Sequence, residues 1–254
     1  MTALVTLLVL VLPALGWGRL VVPTGMRFSI NGAWGSRLFM GISIITLLMY
    51  GFGVVVDLPL SMVARMVGSI GLALLVADLY RHREEKPWRT AWYHPTLVFC
   101  ALLIGLALWQ PPGDYVAYSW DEYANWMGAS KQMFYEDALL TPAMNYAHPE
   151  YPPGWRLLSI YPSLVLGQYD EYHGLFTLSV LHFGFLGLVF ETTVMVLKNR
   201  SRWPESRQKM IAWSILLCLI LAEATWKLVP RDMLIERPQI YLFTAGLIMA
   251  FHVS

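Results

Sequence analysis

Apolar residues along this chain come in long blocks of about twenty rather than at the spacing of an amphipathic helix or strand. Such blocks occupy residues 2–22, 38–56, 58–80, 94–110, 175–197, 210–229 and 238–254. A helix needs about 20 apolar residues to cross the hydrocarbon core, and helices satisfy their own backbone there. The pattern predicts an all-α polytopic membrane protein with about seven transmembrane helices. A further apolar stretch, 155–168, is short for a crossing and is expected to dip into the membrane or lie along its surface. The first block has no basic leading region, and no small-x-small cleavage site follows it, so a retained helix is expected rather than a signal peptide.

The polar connections separate by charge. Segment 81–93 carries Arg81, Arg83, Lys86 and Arg89, and segment 23–37 carries Arg27 and Arg37. Segment 198–209 carries Lys198, Arg200, Arg202, Arg207 and Lys209 against Glu205. The positive-inside rule puts these three in the cytoplasm. Connection 111–153 sets Asp114, Asp121, Glu122, Glu136, Asp137 and Glu150 against Lys131 and belongs outside. An odd number of crossings must then separate it from 198–209, and 175–197 supplies one. Segment 155–168 therefore does not cross, and 168–174 and 230–237 also fall outside. The competing arrangement lets 155–168 cross and puts the basic loop 198–209 outside.

Within the long outer connection the period changes. From Trp120 to Leu140, Trp120, Tyr123, Met127 and Phe134 mark one face, and Glu122, Asn125, Gln132 and Glu136 mark another. This predicts an amphipathic helix in the interface plane, ending before Thr141-Pro142. The run His148-Pro149-Glu150-Tyr151-Pro152-Pro153-Gly154-Trp155 follows, where prolines fix the backbone and hold Tyr151 and Trp155 at the interface.

Composition agrees with a membrane location: 57% of the 254 residues are hydrophobic and 14% charged, against about 25% charged in soluble domains. The net charge of +1 gives no reason to expect a nucleic-acid partner. Cys100 and Cys218 lie in apolar runs and are expected to be small buried residues. The eleven tryptophans and thirteen tyrosines fit interfacial belts or core packing, and also a carbohydrate-facing surface. Glu223 and Lys227 are one turn apart and are expected to pair, whereas Glu191 receives no role. His94, His182 and His252 are expected to be structural, and His82 a solvated cytoplasmic residue. No paired discontinuous helices in two matching halves mark a transporter.

Asp121-Glu122 has two readings. Two acids in a first turn favour the helix macrodipole; the same pair suits a general base or a metal site at the membrane surface. The order of features goes further. "WDEYANWMGAS", then "HPEYPPGWRLLSIYPSLVLG", then "DEY" resembles the GT-C superfamily of membrane glycosyltransferases, which use polyprenyl-phosphate-linked sugars. Asp121-Glu122-Tyr123-Ala124 resembles the start of that family's outer loop, and Tyr151-Pro152-Pro153-Gly154 the turn that closes it. Glu171 stands where the family often has a further acid. Glu236-Arg237-Pro238 looks like the acidic element that opens a later helix, with Glu in place of Asp.

The resemblance covers residues 94–254, as a unit of outer loop 111–156 and helices 175–197, 210–229 and 238–254, with N-terminal transmembrane helices in 1–93. It departs from the family where Gly174 and Leu175 occupy the neighbourhood of a usual arginine, and in being shorter, which implies a truncated or divergent member. It implies sugar transfer on the extracytoplasmic face of a plasma membrane, the bacterial inner membrane. Asp121 would be the catalytic base, with Glu122 its helper or a ligand, with Asp121, to a divalent cation such as Mg²⁺ or Mn²⁺. His148, Arg156 and Arg231 would donate to phosphate, and Tyr151, Glu171 and Glu236 would line the substrate site. Arg156 also fits a plain headgroup anchor. The implied partners are membrane lipid and a lipid-linked sugar. The alternative is a non-catalytic GT-C-like subunit packed against other membrane proteins.

Overall fold

The computed structural model describes residues 2–22, 33–85, 93–109, 126–139, 153–225 and, in the last block, 240, 241, 243–245, 247 and 248. Among the described residues the regular elements are helical. They are α1 (Thr2–Val21), α2 (Trp34–Val55), α3 (Leu60–Arg81), α4 (Pro95–Trp109), α5 (Gly128–Glu136), α6 (Gly154–Leu166), α7 (Tyr172–Arg200) and α8 (Glu205–Thr225), with a short 3₁₀ turn at Arg83–Glu85. Four of these helices, α1, α2, α3 and α7, contain stretches long and apolar enough to cross a membrane. The predicted block 94–110 is the shorter α4, and the part of 210–229 beyond Thr225 lies outside the described residues. Leu47, Val55, Met62 and Val76 point outward from α2 and α3, an apolar exterior that suits lipid rather than water. Cys100 is buried, but Cys218 is exposed on α8, contrary to expectation. On a lipid-facing helix a small apolar side chain meets hydrocarbon without needing protein around it.

Helix α1 packs against both α2 and α3. A Cβ on Gly16 would collide with the Gly71 backbone, so this crossing depends on glycine. Trp17 closes it by donating its indole N–H to the Val67 carbonyl at 2.9 Å. Arg19 Nε and Arg37 Nη1 meet the Asp78 carboxylate at 2.7 and 3.1 Å. His82 Nδ1 also lies 3.2 Å from Asp78, so His82 belongs to this partly buried cluster rather than to solvent. The same end of the bundle carries exposed Tyr80, Tyr93 and Trp203, with Arg83 over Tyr80, Lys209 over Tyr93 and Arg207 over Trp203.

Helix α6 has a different geometry. It follows Pro152-Pro153 and stops at Gly167, whose φ of +73° lets its N–H reach the Ser163 carbonyl at 2.8 Å. All of Trp155 to Leu164 are buried, against α1, α2, α3, α5 and α7. Gly154 lies beside Thr46 of α2, nine residues before that helix ends, and Gly167 beside Arg65 of α3, five residues after that helix begins. At 1.5 Å per residue those points stand about 14 and 8 Å from the same end of the α2–α3 hairpin. Thus α6 lies across the bundle. Its 13 residues span about 20 Å. The short apolar segment is therefore enclosed by protein, not laid along a lipid surface.

The described part of the amphipathic segment is α5, which buries Ala129, Ser130 and Met133 and exposes Lys131, Tyr135 and Glu136. It ends earlier than the sequence predicts. Asp137 turns left-handed with φ +52° and sends its carboxylate to the start of α3. There Oδ1 accepts the Ser61 N–H at 2.6 Å, Oδ2 the Ser61 hydroxyl at 2.7 Å, and the Asp137 carbonyl the Leu60 N–H at 2.9 Å. Pro59, at the helix's own cap position, makes no side-chain cap bond, so the cap comes from a distant segment. Asp137→Ala is expected to cost about 1–2 kcal/mol. Thermal unfolding in detergent, followed by tryptophan fluorescence, checks this, and an unchanged midpoint would exclude the cap.

Candidate functional site

Helix α6 carries three polar residues on one face, Arg156, Ser159 and Ser163, at steps of three and four. On a short apolar helix enclosed by protein, each needs a partner. The Arg156 guanidinium is 1% exposed and sits 5.5 Å from the Trp126 ring centroid, in cation–π range. Ser159 donates to the Arg156 carbonyl at 2.8 Å and lies 3.1 Å from the Ser130 hydroxyl of α5. Ser163 shares a 2.6 Å hydrogen bond with His173 Nδ1 on α7. His173 is buried, and among the described residues its Nε2 has no hydrogen-bond partner. A stripe of one guanidinium, three hydroxyls and one imidazole thus runs between α5, α6 and α7.

The turn between α6 and α7 borders this stripe. Tyr169 O–H donates to the Met127 carbonyl at 3.4 Å, and Lys131 Nζ lies 5.8 Å from the Tyr169 ring. Burial first, then the charges around it from Glu171, Tyr135 and Asp170, push the Tyr169 phenol above the ordinary tyrosine range. Asp170 accepts the Tyr172 N–H at 3.0 Å, which fixes the start of α7.

Of the residues singled out from sequence, Arg156 and Glu171 are described. They do not sit side by side: Glu171 follows the far end of α6, and ten residues from Arg156 to Leu166 amount to about 15 Å of helix. Arg156 is also no headgroup anchor, because its guanidinium is enclosed by protein. Asp121, Glu122, His148, Tyr151, Arg231 and Glu236 lie outside the described residues. Among the described residues no three His, Cys, Asp or Glu side chains cluster as metal ligands. Ser130, Ser159, Ser163 and His173 were not foreseen. The 156–159–163 spacing was visible in the sequence, but its partners on α5 and α7 were not.

A second buried polar cluster lies at the opposite end, where Glu191 of α7 reaches the first turn of α2. Its Oε1 accepts the Gly35 N–H at 2.6 Å, and Oε2 accepts the Ser36 N–H at 3.1 Å and the Ser36 hydroxyl. His94 Nε2 stands 3.1 Å from Oε1, without the alignment of a hydrogen bond, and its ring meets Phe190 edge-on. A Cβ on Gly35 would collide with the Gly187 backbone, so the two helices touch where the carboxylate enters. Glu191 thereby acquires a role that sequence did not give it, capping α2 from another helix. His182 shares a 2.5 Å hydrogen bond with the Tyr241 hydroxyl. No family model matches the chain, and neither does any curated protein or solved structure.

Proposed function

We propose that this chain is a GT-C-like membrane glycosyltransferase, moving a sugar from a polyprenyl-phosphate donor to an acceptor on the extracytoplasmic face. The observation that carries this reading is the Arg156–Trp126 stack. It ties the helix that follows the Pro152-Pro153-Gly154 turn to the segment that begins four residues after Glu122. A guanidinium fork suits two phosphate oxygens at once, and a carboxylate pair nearby in the chain suits the other half of the reaction. In that reaction Asp121 takes the acceptor's hydroxyl proton as the new C1–O bond forms. The bond from C1 to the phosphate oxygen breaks, and the lipid phosphate leaves with the electron pair. Arg156, with His148 and Arg231, stabilises that leaving charge. Glu122 helps Asp121, and the two carboxylates offer hard oxygens for Mg²⁺ or Mn²⁺. Tyr151, Glu171 and Glu236 contact the substrates.

One observation favours a second reading. Where the family resemblance calls for an arginine after the second acid, α7 has Gly174 and Leu175, packed into its first turn. A non-catalytic subunit using the same scaffold would tolerate that loss. The separating experiment is release of polyprenyl phosphate by purified protein supplied with polyprenyl-phosphate sugars. Asp121→Asn is expected to lower the rate about 10²–10⁴-fold at unchanged folding. Wild-type turnover in that variant would remove Asp121 as base. No turnover with any donor, together with co-purification in a larger complex, would favour the subunit.

A further inference from the structure

A groove of about 300 Å³ opens on the outside of the bundle between α1 and α3, with α6 at its back. Leu8 and Leu12 of α1, Leu72 of α3 and Val165 of α6 make its walls apolar. Two polar side chains interrupt them on one face of α3: Arg65 and, one turn on, Ser69, both exposed. Among the described residues Arg65 has neither an ion-pair partner nor a hydrogen bond. Five residues from the start of a helix long and apolar enough to cross a membrane, it lies about 8 Å below that end. An unpaired guanidinium at that depth is costly unless it snorkels to an anion at the headgroups.

The floor adds a second observation. Gly68 lines the groove, leaving it room where a Cβ would stand, and the buried Tyr161 hydroxyl, without a hydrogen-bond partner among the described residues, sits 2.8 Å behind that point. Arg65 and Ser69 thus occupy the helix-end half of the groove, and the walls towards Leu12 and Leu72 are apolar. That order matches an amphiphile lying along α3, with its anionic head at Arg65, its polar linkage near Ser69, and its tail beyond.

We propose that this groove binds one anionic phospholipid of the surrounding bilayer, its phosphate on Arg65 and one acyl chain between α1 and α3. The proposal does not depend on sugar transfer. It is tested by native mass spectrometry of delipidated protein in detergent, with dioleoyl phosphatidylglycerol and dioleoyl phosphatidylcholine in competition, and with glycerol phosphate as a headgroup without a tail. Wild type is expected to retain the anionic lipid about tenfold over the zwitterionic one and to retain no glycerol phosphate. Arg65→Gln should bring the ratio near one, whereas Arg83→Gln, outside the groove, should leave it unchanged. Ser69→Trp, which fills the groove but keeps the charge, should lose the bound lipid, and it serves as the test if Arg65→Gln does not fold. Equal retention of both lipids by wild type, an unchanged ratio in Arg65→Gln or full retention in Ser69→Trp would each overturn the proposal. Loss of selectivity in Arg83→Gln would show diffuse surface charge and overturn it too.

Discussion

Glu191→Ala is expected to destabilise the fold by about 3–5 kcal/mol, among the largest effects of any single substitution in this chain. The carboxylate is 2% exposed and accepts the Gly35 N–H, the Ser36 N–H and the Ser36 hydroxyl at the start of α2. Alanine leaves three donors buried without an acceptor, each costing about 1–3 kcal/mol before relaxation. It also removes the negative charge from the positive end of the α2 dipole. The close approach of the Gly35 and Gly187 backbones beside it leaves little room for water to repair the gap. Glu191→Gln keeps one acceptor oxygen and should lose about half as much, and Ser36→Ala about 1 kcal/mol. The measurement is the unfolding midpoint of purified protein in detergent as SDS is titrated in. An alanine variant within about 0.5 kcal/mol of wild type, the range of an ordinary surface change, would show that the carboxylate does not hold α2 to α7.

That role could not be read from sequence, because the bonds join residues 155 and 156 positions apart. An acid in an apolar run signals that a partner exists without saying which. The cap from Asp137 to Ser61 was hidden in the same way, across 76 positions. What hydropathy does report is local. The blocks at 2–22, 38–56, 58–80 and 175–197 reappear as α1, α2, α3 and α7 because a helix's length and apolarity are properties of its own residues. Their ends moved by a few residues: α2 begins at Trp34, since a partner's carboxylate lets the helix start among Gly35, Ser36 and Arg37. The shortness of 155–168 was legible, and charge parity indicated that it should not cross. Its crosswise path and its enclosure by five helices depend on tertiary packing. The candidate site was legible only in part. Arg156 was singled out, but Ser159, Ser163 and His173 gain meaning only when α5 and α7 are placed beside α6.

Replacing Arg156 is the change expected to separate a catalytic from a purely structural role of this guanidinium most sharply. If the guanidinium binds the departing phosphate, Arg156→Gln should lower sugar transfer at least 10²-fold, the scale of removing one group aimed at developing charge. Arg156→Lys should remain well below wild type, since an ammonium cannot present the planar fork that matches two oxygens. Both variants also lose or weaken the stack on Trp126, worth about 1–2 kcal/mol at a desolvated site. A fall in activity alone would therefore be ambiguous. Trp126→Leu supplies the control, because it removes the stack but keeps the guanidinium. If Arg156 only holds α5 to α6, Trp126→Leu and Arg156→Gln should lower stability and turnover in parallel. If Arg156 also serves the phosphate, Arg156→Gln should lose far more turnover than Trp126→Leu at a similar unfolding midpoint. Its loss should fall mainly on kcat, because charge on the leaving oxygen develops in the transition state. Equal kinetics in the two variants would leave the residue a structural tie and remove the strongest support for catalysis in the described residues.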